Sequence, residues 1–376
     1  MFQNSMPKDN LTLLIKPTSA DCNLACRYCF YSPKENLYQD KHKRMSIETL
    51  EVMVSKALET SENITFSWQG GEPTLMGLSF YKKAVEFQNR YRKNQNINNT
   101  FQTNGILLDE SWAIFLRENN FLVGLSMDGP YNLHDEYRVT KDGKPTHHIV
   151  LSKLKLLQEY GVEFNVLVVV NDKNSKKPEA LFKYFRELGV KYLQFIPCLE
   201  KDKDGRVASF SVDPANYGRF LCSMFDKWYN SGNPECYIRE YEEWLIAYAY
   251  GVNPCMFSPY CQGALVIEYN GDIYPCDFFV EPEWLLGNIK ENSLEEVFNS
   301  ELYKRFSERK HNVDEKCKNC KWLNLCWGGC PKFRIDKNGK EIKYSYFCTS
   351  YQRFFEHSDR YFKYLVQRFR GSGQTF

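Results

Sequence analysis

Three cysteines near the N-terminus stand close enough together to bind one metal centre. Cys22, Cys26 and Cys29 form a C-x3-C-x2-C array directly after a short apolar run. A metal that only supports a fold normally has four protein ligands, because a closed tetrahedral shell leaves no reactive position. An array of three therefore indicates a site in which one coordination position stays open.

A second group of cysteines lies between residues 255 and 348 and is large enough for two centres with four ligands each. Its members are Cys255, Cys261, Cys276, Cys317, Cys320, Cys326, Cys330 and Cys348. The C-x2-C-x5-C-x3-C spacing from Cys317 to Cys330 fits zinc as well as iron, because both take tetrahedral thiolate ligands. Zinc does not account for the isolated array of three, whereas a [4Fe-4S] cluster with one free iron does.

Composition limits the classes of function. The net charge is only +2, from 49 lysines and arginines against 47 aspartates and glutamates, so we expect no nucleic-acid partner. The start, MFQNSMPKDN, lacks the apolar segment of a signal peptide, and no stretch has the roughly 20 apolar residues that span a bilayer. We therefore expect a cytoplasmic protein without a membrane partner. In that reducing compartment, 14 cysteines favour metal or redox chemistry over disulfides. Three of them fit no array and are predicted to be buried apolar residues, namely Cys198, Cys222 and Cys236.

The elements that must position these groups alternate along the chain. Six strand-helix units are predicted up to about residue 200, which indicates an α/β domain with a parallel sheet, either open or closed into a barrel. In both forms the chemistry collects at the carboxyl ends of the strands. The first cysteine array follows the first predicted strand, and QGGEP, QTNG and SMDG follow the next three. We predict one domain over residues 8–235 and a cysteine-rich second domain over residues 236–376, closed by an amphipathic helix from about Arg360.

The cysteine array, the GGEP motif and the six-unit series together resemble the radical S-adenosylmethionine enzymes. The resemblance implies a partial (β/α)6 TIM-like barrel in which Cys22, Cys26 and Cys29 bind a [4Fe-4S] cluster. The open iron would take the amino and carboxylate groups of S-adenosylmethionine. The missing fourth ligand of the array is then the co-substrate itself.

The C-terminal half is similar to the SPASM domain, whose pattern is C-x9-15-G-x4-C, then C-x2-C-x5-C-x3-C, then a last cysteine. This likeness implies two auxiliary [4Fe-4S] clusters, and hence three [4Fe-4S] clusters in the chain. The ligands of the first would be Cys255, Cys261, Cys276 and Cys330, and those of the second Cys317, Cys320, Cys326 and Cys348. Because fully ligated clusters cannot bind substrate through iron, electron transfer is their expected role.

Over nearly the whole chain, the closest resemblance is to the anaerobic sulfatase-maturating enzymes. It is carried by the segments LLIKPTSADCNLACRYCFY, FSWQGGEPTL, FQTNGILLDESWAIFL, FLVGLSMDGP, LQFIPCLE and YPCDFF. The family oxidises a cysteine or serine in a C/S-x-P/A-x-R motif of an unfolded or nascent sulfatase to Cα-formylglycine, without O2. The implied partners are that peptide and an electron donor such as flavodoxin or ferredoxin.

The resemblance also implies roles for individual residues. The positions that contact S-adenosylmethionine would be Tyr28, Gly71, Ser126, Arg138 and Leu199. Those near the peptide would be Tyr31 and Gln69, and Asp277 falls on the position of the family's proposed general base. Without the family, the two tyrosines read equally as aromatic packing, QGGEP as a plain turn and Asp277 as a solvated turn residue. The chain diverges from the family in loops such as VTKDGKPTHH and KDKDGRVASF.

The implied reaction begins when an electron reaches the first cluster and S-adenosylmethionine is cleaved to methionine and a 5′-deoxyadenosyl radical. That radical takes a hydrogen from the target Cβ. The target then loses a proton and a second electron, and the auxiliary clusters would receive that electron. The product is an aldehyde from serine or a thioaldehyde from cysteine, and water converts the thioaldehyde to formylglycine. Two alternatives stay open: another SPASM peptide modifier, such as a thioether-crosslinking enzyme, and a non-catalytic zinc scaffold.

Overall fold

The computed structural model describes residues 10–40 and 43–372, without the side chains of residues 371 and 372. The chain divides into two compact units. Among the described residues, the first unit contains 10–40, 43–126, 137–164 and 262–307, and the second contains 127–136, 165–261 and 308–372. The predicted domain start at residue 8 lies outside the described residues, and the division into 8–235 and 236–376 stays a prediction.

The strands of the described residues are β1 (Leu11–Lys16), β2 (Asn63–Trp68), β3 (Asn96–Thr103), β4 (Phe121–Ser126), β5 (Phe164–Val170), β6 (Tyr192–Pro197), β7 (Tyr237–Ile238), β8 (Leu265–Glu268), β9 (Asp272–Tyr274) and β10 (Gly287–Asn288). The α-helices are α1 (Ile47–Thr60), α2 (Leu78–Tyr91), α3 (Glu110–Glu118), α4 (Tyr131–His134), α5 (His147–Glu159), α6 (Pro178–Glu187), α7 (Pro214–Tyr229), α8 (Arg239–Tyr250), α9 (Leu294–Asn299), α10 (Glu301–Glu308), α11 (Glu315–Lys318), α12 (Leu323–Cys326) and α13 (Cys348–Ser372). The six predicted strand-helix units are present, with β1 to β6 each followed by a helix.

The first unit is built on a sheet with the strand order β10-β9-β8-β1-β2-β3-β4. Strands β1 to β4 are parallel to their neighbours, and β8 pairs parallel with β1 through Leu13 and Leu265. Strands β9 and β10 add antiparallel pairs at the edge. The sequence pattern did not predict this arrangement. A segment of the cysteine-rich region therefore extends the sheet that begins at the N-terminus.

Local sequence explains the helices that cover this sheet. The side chain of Ser46 caps α1, because it accepts a hydrogen bond of 3.0 Å from the backbone N–H of Thr49. The apolar residues of α1 recur at helical spacing and are buried, among them Leu50, Met53 and Val54. Each such side chain contributes about 1.5–3 kcal/mol by leaving water.

The second unit contains β5 apart from its first residue, together with β6 and β7, and these strands pair in parallel. Helices α7 and α13 pack together with α8 around an aromatic core that includes Phe225, Trp244 and Phe354. The closing helix begins at Cys348, about twelve residues before the start that periodicity predicts. Among the described residues, no helix combines the length and the apolar character needed to cross a bilayer.

Candidate active site

The first cysteine array lies in the loop that leaves the carboxyl end of β1. All three cysteines are thiols rather than disulfides, and each is half-buried. The loop is fixed by a second segment of the same unit, because the N–H of Ala25 donates to the carbonyl of Val139 at 2.9 Å and that of Arg27 donates to Tyr137 at 3.1 Å. The array is therefore held in place by backbone hydrogen bonds before any cluster is added.

The GGEP loop after β2 braces the cysteine loop. The backbone N–H of Gly71 donates to Ser19 at 2.7 Å, and a Cβ on Gly71 would lie only 2.0 Å from the carbonyl oxygen of Asp21. No residue with a side chain fits at that distance, so glycine is required here. The GGEP loop therefore packs directly against the chain just before Cys22.

Glu72 of the same motif ties the ends of β2 and β3 together. Its buried carboxylate accepts hydrogen bonds from the N–H of Thr74 at 3.0 Å, the hydroxyl of Thr103 at 2.7 Å and the N–H of Asn104 at 2.8 Å. Burial raises the pKa of Glu72, and these hydrogen bonds oppose the rise. The Asn104 side chain lies 3.7 Å from the sulfur of Cys22, so the third strand end also reaches the array.

The residues expected to contact S-adenosylmethionine fall into four places. Tyr28 and Arg138 meet beside the cysteine loop, with the guanidinium 5.5 Å from the centre of the tyrosine ring. Ser126 ends β4, and its hydroxyl accepts a hydrogen bond of 2.9 Å from the side chain of Gln102. Gly71 is in the first unit with these three, whereas Leu199 is a buried residue of the second unit. Their contacts with the co-substrate stay predictions.

Tyr31 and Asp277 are both brought to one buried lysine. The amine of Lys16, at the end of β1, lies 3.8 Å from the Asp277 carboxylate and 4.3 Å from the centre of the Tyr31 ring. The hydroxyl of Tyr31 donates to the carboxylate of Glu268, at the end of β8. Gln69 lies at the neighbouring strand end, where its backbone N–H donates to Ile15 at 2.9 Å. The predicted substrate residues therefore share the mouth of β1 and β2.

The carboxylates around Lys16 counteract the effect of burial on the pKa of its amine. The side chain is only 1% exposed, and burial lowers the pKa of the amine. Asp277 and then Glu268 act against that shift, as nearby carboxylates do. Burial likewise raises the pKa of Tyr31 well above its ordinary value, and the charge of Glu268 adds to the rise. Tyr31 thus stays a neutral hydrogen-bond donor beside a cation and two carboxylates.

Sequence reasoning missed Lys16 and Glu268. Each is a charged residue inside an otherwise apolar strand, in LTLLIK and LVIE, and that contrast was the available signal. Asp277 is 19% exposed and begins a short 3-10 turn directly after Cys276, whose thiol lies 3.7 Å from the Asp277 carboxylate. Its Oδ2 faces a buried cation while the carboxylate remains partly exposed, so Asp277 differs from a solvated turn residue.

Four cysteines of the second unit surround one cavity. Cys317, Cys320, Cys326 and Cys348 all line a space of about 150 Å³, which Trp322 and Phe355 also border. Within residues 10–40 and 43–372, no three side chains of the metal-binding types converge as tightly as ligands of a single ion do. Four thiols spread around such a cavity suit a multi-iron cluster better than one zinc ion, whose sulfur ligands lie about 2.3 Å away.

The other predicted set is divided between the two units. Cys255, Cys261 and Cys330 belong to the second unit, and the Cys261 thiol interacts electrostatically with both others. Burial raises the pKa of Cys261 to about 12, and Lys310 opposes the rise. Cys276 belongs to the first unit, in the loop after β9. The three cysteines outside any array, Cys198, Cys222 and Cys236, are buried as predicted.

Comparison with known proteins identifies the class. The radical SAM superfamily model matches residues 17–199, and an iron-sulfur cluster-binding domain model, SPASM, matches residues 255–321. The chain is a radical S-adenosylmethionine enzyme with an auxiliary iron-sulfur domain, and its cofactors are S-adenosylmethionine and iron-sulfur clusters. The fold class predicted from the sequence is thereby confirmed.

Similarity along the full length then defines the family. The chain is 39% identical to the serine-type anaerobic sulfatase-maturating enzyme of Bacteroides thetaiotaomicron, covering 94% of this chain and 91% of that one. It is 42% identical to the cysteine-type enzyme of Clostridium perfringens, covering 93% and 96%. The structure of native anSMEcpe with bound AdoMet and Cp18Cys peptide matches with a TM-score of 0.88 at 40% identity, over 96% of this chain and 99% of that chain. The chain belongs to the anaerobic sulfatase-maturating enzymes.

Proposed function

We propose that this enzyme oxidises a cysteine or serine in a C/S-x-P/A-x-R motif of an unfolded or nascent sulfatase to Cα-formylglycine, without O2. The observation that carries the proposal is the full-length likeness to both cysteine-type and serine-type relatives. The peptide bound in the similar solved structure supports a peptide substrate. We further propose the cytoplasm as the compartment and flavodoxin or ferredoxin as the electron donor.

The first unit would carry the substrate chemistry. S-adenosylmethionine, cleaved reductively at the cluster, supplies the radical that removes the target hydrogen. Cys22, Cys26 and Cys29 hold that cluster in a loop already fixed by backbone hydrogen bonds. The co-substrate is held by Tyr28, Gly71, Ser126, Arg138 and Leu199. Tyr31 and Gln69 line the place of the peptide at the mouth of β1 and β2.

Asp277 is the proposed general base. Oxidation of the target requires its thiol or hydroxyl to lose a proton, and the accepting group must lie within about 3 Å of the donor atom. The partly exposed Asp277 carboxylate can accept that proton, while Lys16 faces its Oδ2 at 3.8 Å. The cluster that Cys276 would help to hold could accept the electron lost in the same step, and the Cys276 thiol lies 3.7 Å from the Asp277 carboxylate. The proposed proton acceptor and one ligand of the proposed electron acceptor are therefore neighbours.

Anaerobic incubation with a C-x-P-x-R peptide, S-adenosylmethionine and a reductant tests the proposal. Mass spectrometry of the peptide should show formylglycine, with loss of sulfur from the cysteine peptide and formation of 5′-deoxyadenosine. The matched control is the same peptide with alanine at the target position, which should remain unchanged. A product that keeps its sulfur would instead indicate a thioether crosslink and would overturn the proposal. Parallel cysteine and serine peptides measure which target the enzyme prefers.

A further inference from the structure

Arg334 is a buried cation under the segment that joins Cys326 to Cys330. Its side chain is 5% exposed, and its Nη2 donates to the carbonyls of Trp327 at 2.9 Å and Gly329 at 3.3 Å. Trp327 directly follows Cys326, and Gly329 directly precedes Cys330. The guanidinium therefore lies against the connection between two thiols that we assign to different auxiliary clusters.

That connection has an unusual backbone. Trp327, Gly328 and Gly329 have positive φ values of 47°, 69° and 72°. A left-handed conformation is costly for a tryptophan, so neighbouring contacts must hold it in place. A Cβ on Gly328 would lie 3.2 Å from Nη2 of Arg334, which shows how closely the guanidinium approaches the turn. Arg334 is thus part of what fixes the spacing of the two thiols.

The charge of Arg334 has no carboxylate partner in the part of the chain that the structure describes. The same is true of Lys310, which is fully buried and whose amine donates to the carbonyls of Cys255 and Met256. A buried cation without an anion is strongly unfavourable. A guanidinium nevertheless remains protonated at any working pH. Arg334 and Lys310 are therefore two buried positive charges of the second unit that negative charge nearby would stabilise.

Thiols of both proposed ligand sets supply that charge once they are deprotonated. Burial lowers the pKa of Arg334, and four thiols oppose that shift. Two of them, Cys261 and Cys330, belong to one set, and the other two, Cys317 and Cys326, belong to the second. Iron-sulfur clusters bind thiolates, so loaded sites place anionic groups of both sets near one guanidinium, which already contacts the residues next to Cys326 and Cys330. The residues present thus fit two clusters, and Arg334 is shared between them.

We propose that Arg334 is a positioning residue that raises the reduction potentials of both auxiliary clusters and so makes them better electron acceptors. A fixed positive charge stabilises the extra electron of each reduced cluster, and cluster potentials respond to charge and hydrogen bonding nearby. Lys310, which contacts the carbonyl of Cys255, adds to this effect at one cluster only. The inference rests on the ligand sets proposed above and not on the identity of the peptide substrate.

Potentiometric titration of the full chain tests this inference, with electron paramagnetic resonance as the readout. Replacing Cys22, Cys26 and Cys29 by alanine in every sample leaves the auxiliary clusters as the redox centres to be titrated. Arg334→Gln should lower both midpoint potentials by at least about 59 mV, which corresponds to a tenfold change in the reduction equilibrium of a one-electron couple. Lys310→Met should lower one of the two. Arg206→Gln, which removes an exposed arginine paired with Asp204, is the matched control and should change neither.

The outcomes separate charge from shape. Wild-type potentials in a fully iron-loaded Arg334→Gln protein would overturn the inference. If that variant fails to bind iron, Arg334→Lys decides: loading with potentials near wild type supports a requirement for charge. Failure of Arg334→Lys to load, or lowered potentials in it, would mean that only guanidinium geometry matters and would refute the proposal. The titration needs no peptide and no S-adenosylmethionine, so a failed formylglycine assay would leave its result intact.

Discussion

Replacing Lys16 by methionine should uncouple radical formation from product formation. The amine lies 3.8 Å from the Asp277 carboxylate and is 1% exposed, so it is the group best placed to hold that carboxylate in position. Methionine has a similar length and is apolar. Removing one partner of a buried ion pair costs stability, and this cost is reduced here because Asp277 is 19% exposed and stays in contact with water. We expect Lys16→Met to fold, bind its clusters and still produce 5′-deoxyadenosine, while formylglycine yield falls.

The size of the effect follows from the ion pair. Two unit charges about 4 Å apart interact by about 4 kcal/mol at an effective dielectric constant of about 20. Asp277 is 19% exposed, so solvent screens part of this energy, and about 2–3 kcal/mol is a reasonable expectation. If that energy serves to hold the base in place, its loss slows product formation by roughly 30- to 150-fold.

The assay is the ratio of formylglycine to 5′-deoxyadenosine, measured in single anaerobic turnovers. Lys34→Met is a matched control, because Lys34 pairs with Glu281 at 3.3 Å in the same unit, and the ratio should not change. The double variant Lys16→Met with Asp277→Asn should be no worse than Asp277→Asn alone, since Lys16 acts through Asp277. A wild-type ratio in Lys16→Met, or fully additive losses in the double variant, would refute this reasoning.

Three further predictions concern the clusters and stability. Anaerobic reconstitution should give about twelve iron atoms per chain, four per cluster. An iron content near four atoms per chain would show that the auxiliary clusters are not formed. Joint replacement of Cys22, Cys26 and Cys29 by alanine should abolish 5′-deoxyadenosine, and its continued formation would mean that another site cleaves the co-substrate. Burial raises the pKa of Glu240 from near 4.5 to about 8, so the folded protein holds this proton more tightly than the unfolded chain does. The free energy of unfolding should therefore fall by up to about 1.4 kcal/mol per pH unit as the pH rises from about 4.5 to about 8. Glu240→Gln should flatten that slope in denaturant titrations, and an unchanged slope would assign the pH dependence to other groups.

The parts of the site that could be predicted are those written in local sequence. The spacing of Cys22, Cys26 and Cys29 and the apolar periodicity of α1 each depend on residues a few positions apart. Such patterns determine one element at a time. The alternation of strands and helices then determined the α/β class, because parallel strands need crossover connections.

The parts that could not be predicted depend on contacts between distant segments. Strand β8 pairs with β1 across about 250 residues, and nothing in its four apolar-rich positions specifies that partner. This pairing is what brings Glu268 and Asp277 to Lys16. Arg334 was missed for the same reason, since its partners are backbone carbonyls that carry no sequence signal. Motifs therefore indicated the proposed metal ligands, whereas the charges around them required the fold.

Asp277→Asn is the most direct test of the proposed base. The amide is nearly the same size as the carboxylate but cannot accept the proton that the target must lose. General bases typically contribute 10²–10⁴-fold, so formylglycine yield should fall at least about 100-fold while some 5′-deoxyadenosine still forms. Because Asp277 is adjacent to Cys276, iron content must be measured first, and a full complement shows that the neighbouring ligand is intact.

The comparison with Asp272→Asn distinguishes loss of a base from loss of any nearby carboxylate. Asp272 lies on β9 of the same unit and accepts hydrogen bonds from Tyr38 at 3.1 Å and Asn288 at 2.9 Å, so its charge has a structural role close in sequence to Asp277. If Asp277 takes the proton, Asp277→Asn should still form 5′-deoxyadenosine but little formylglycine, because the radical forms before the proton is lost. Asp272→Asn should show no such difference between the two products. Wild-type formylglycine yield from fully iron-loaded Asp277→Asn would remove Asp277 from the reaction. If Asp272→Asn lowered the ratio of formylglycine to 5′-deoxyadenosine as much as Asp277→Asn does, the effect would come from the negative charge at this edge of the sheet and not from one proton acceptor.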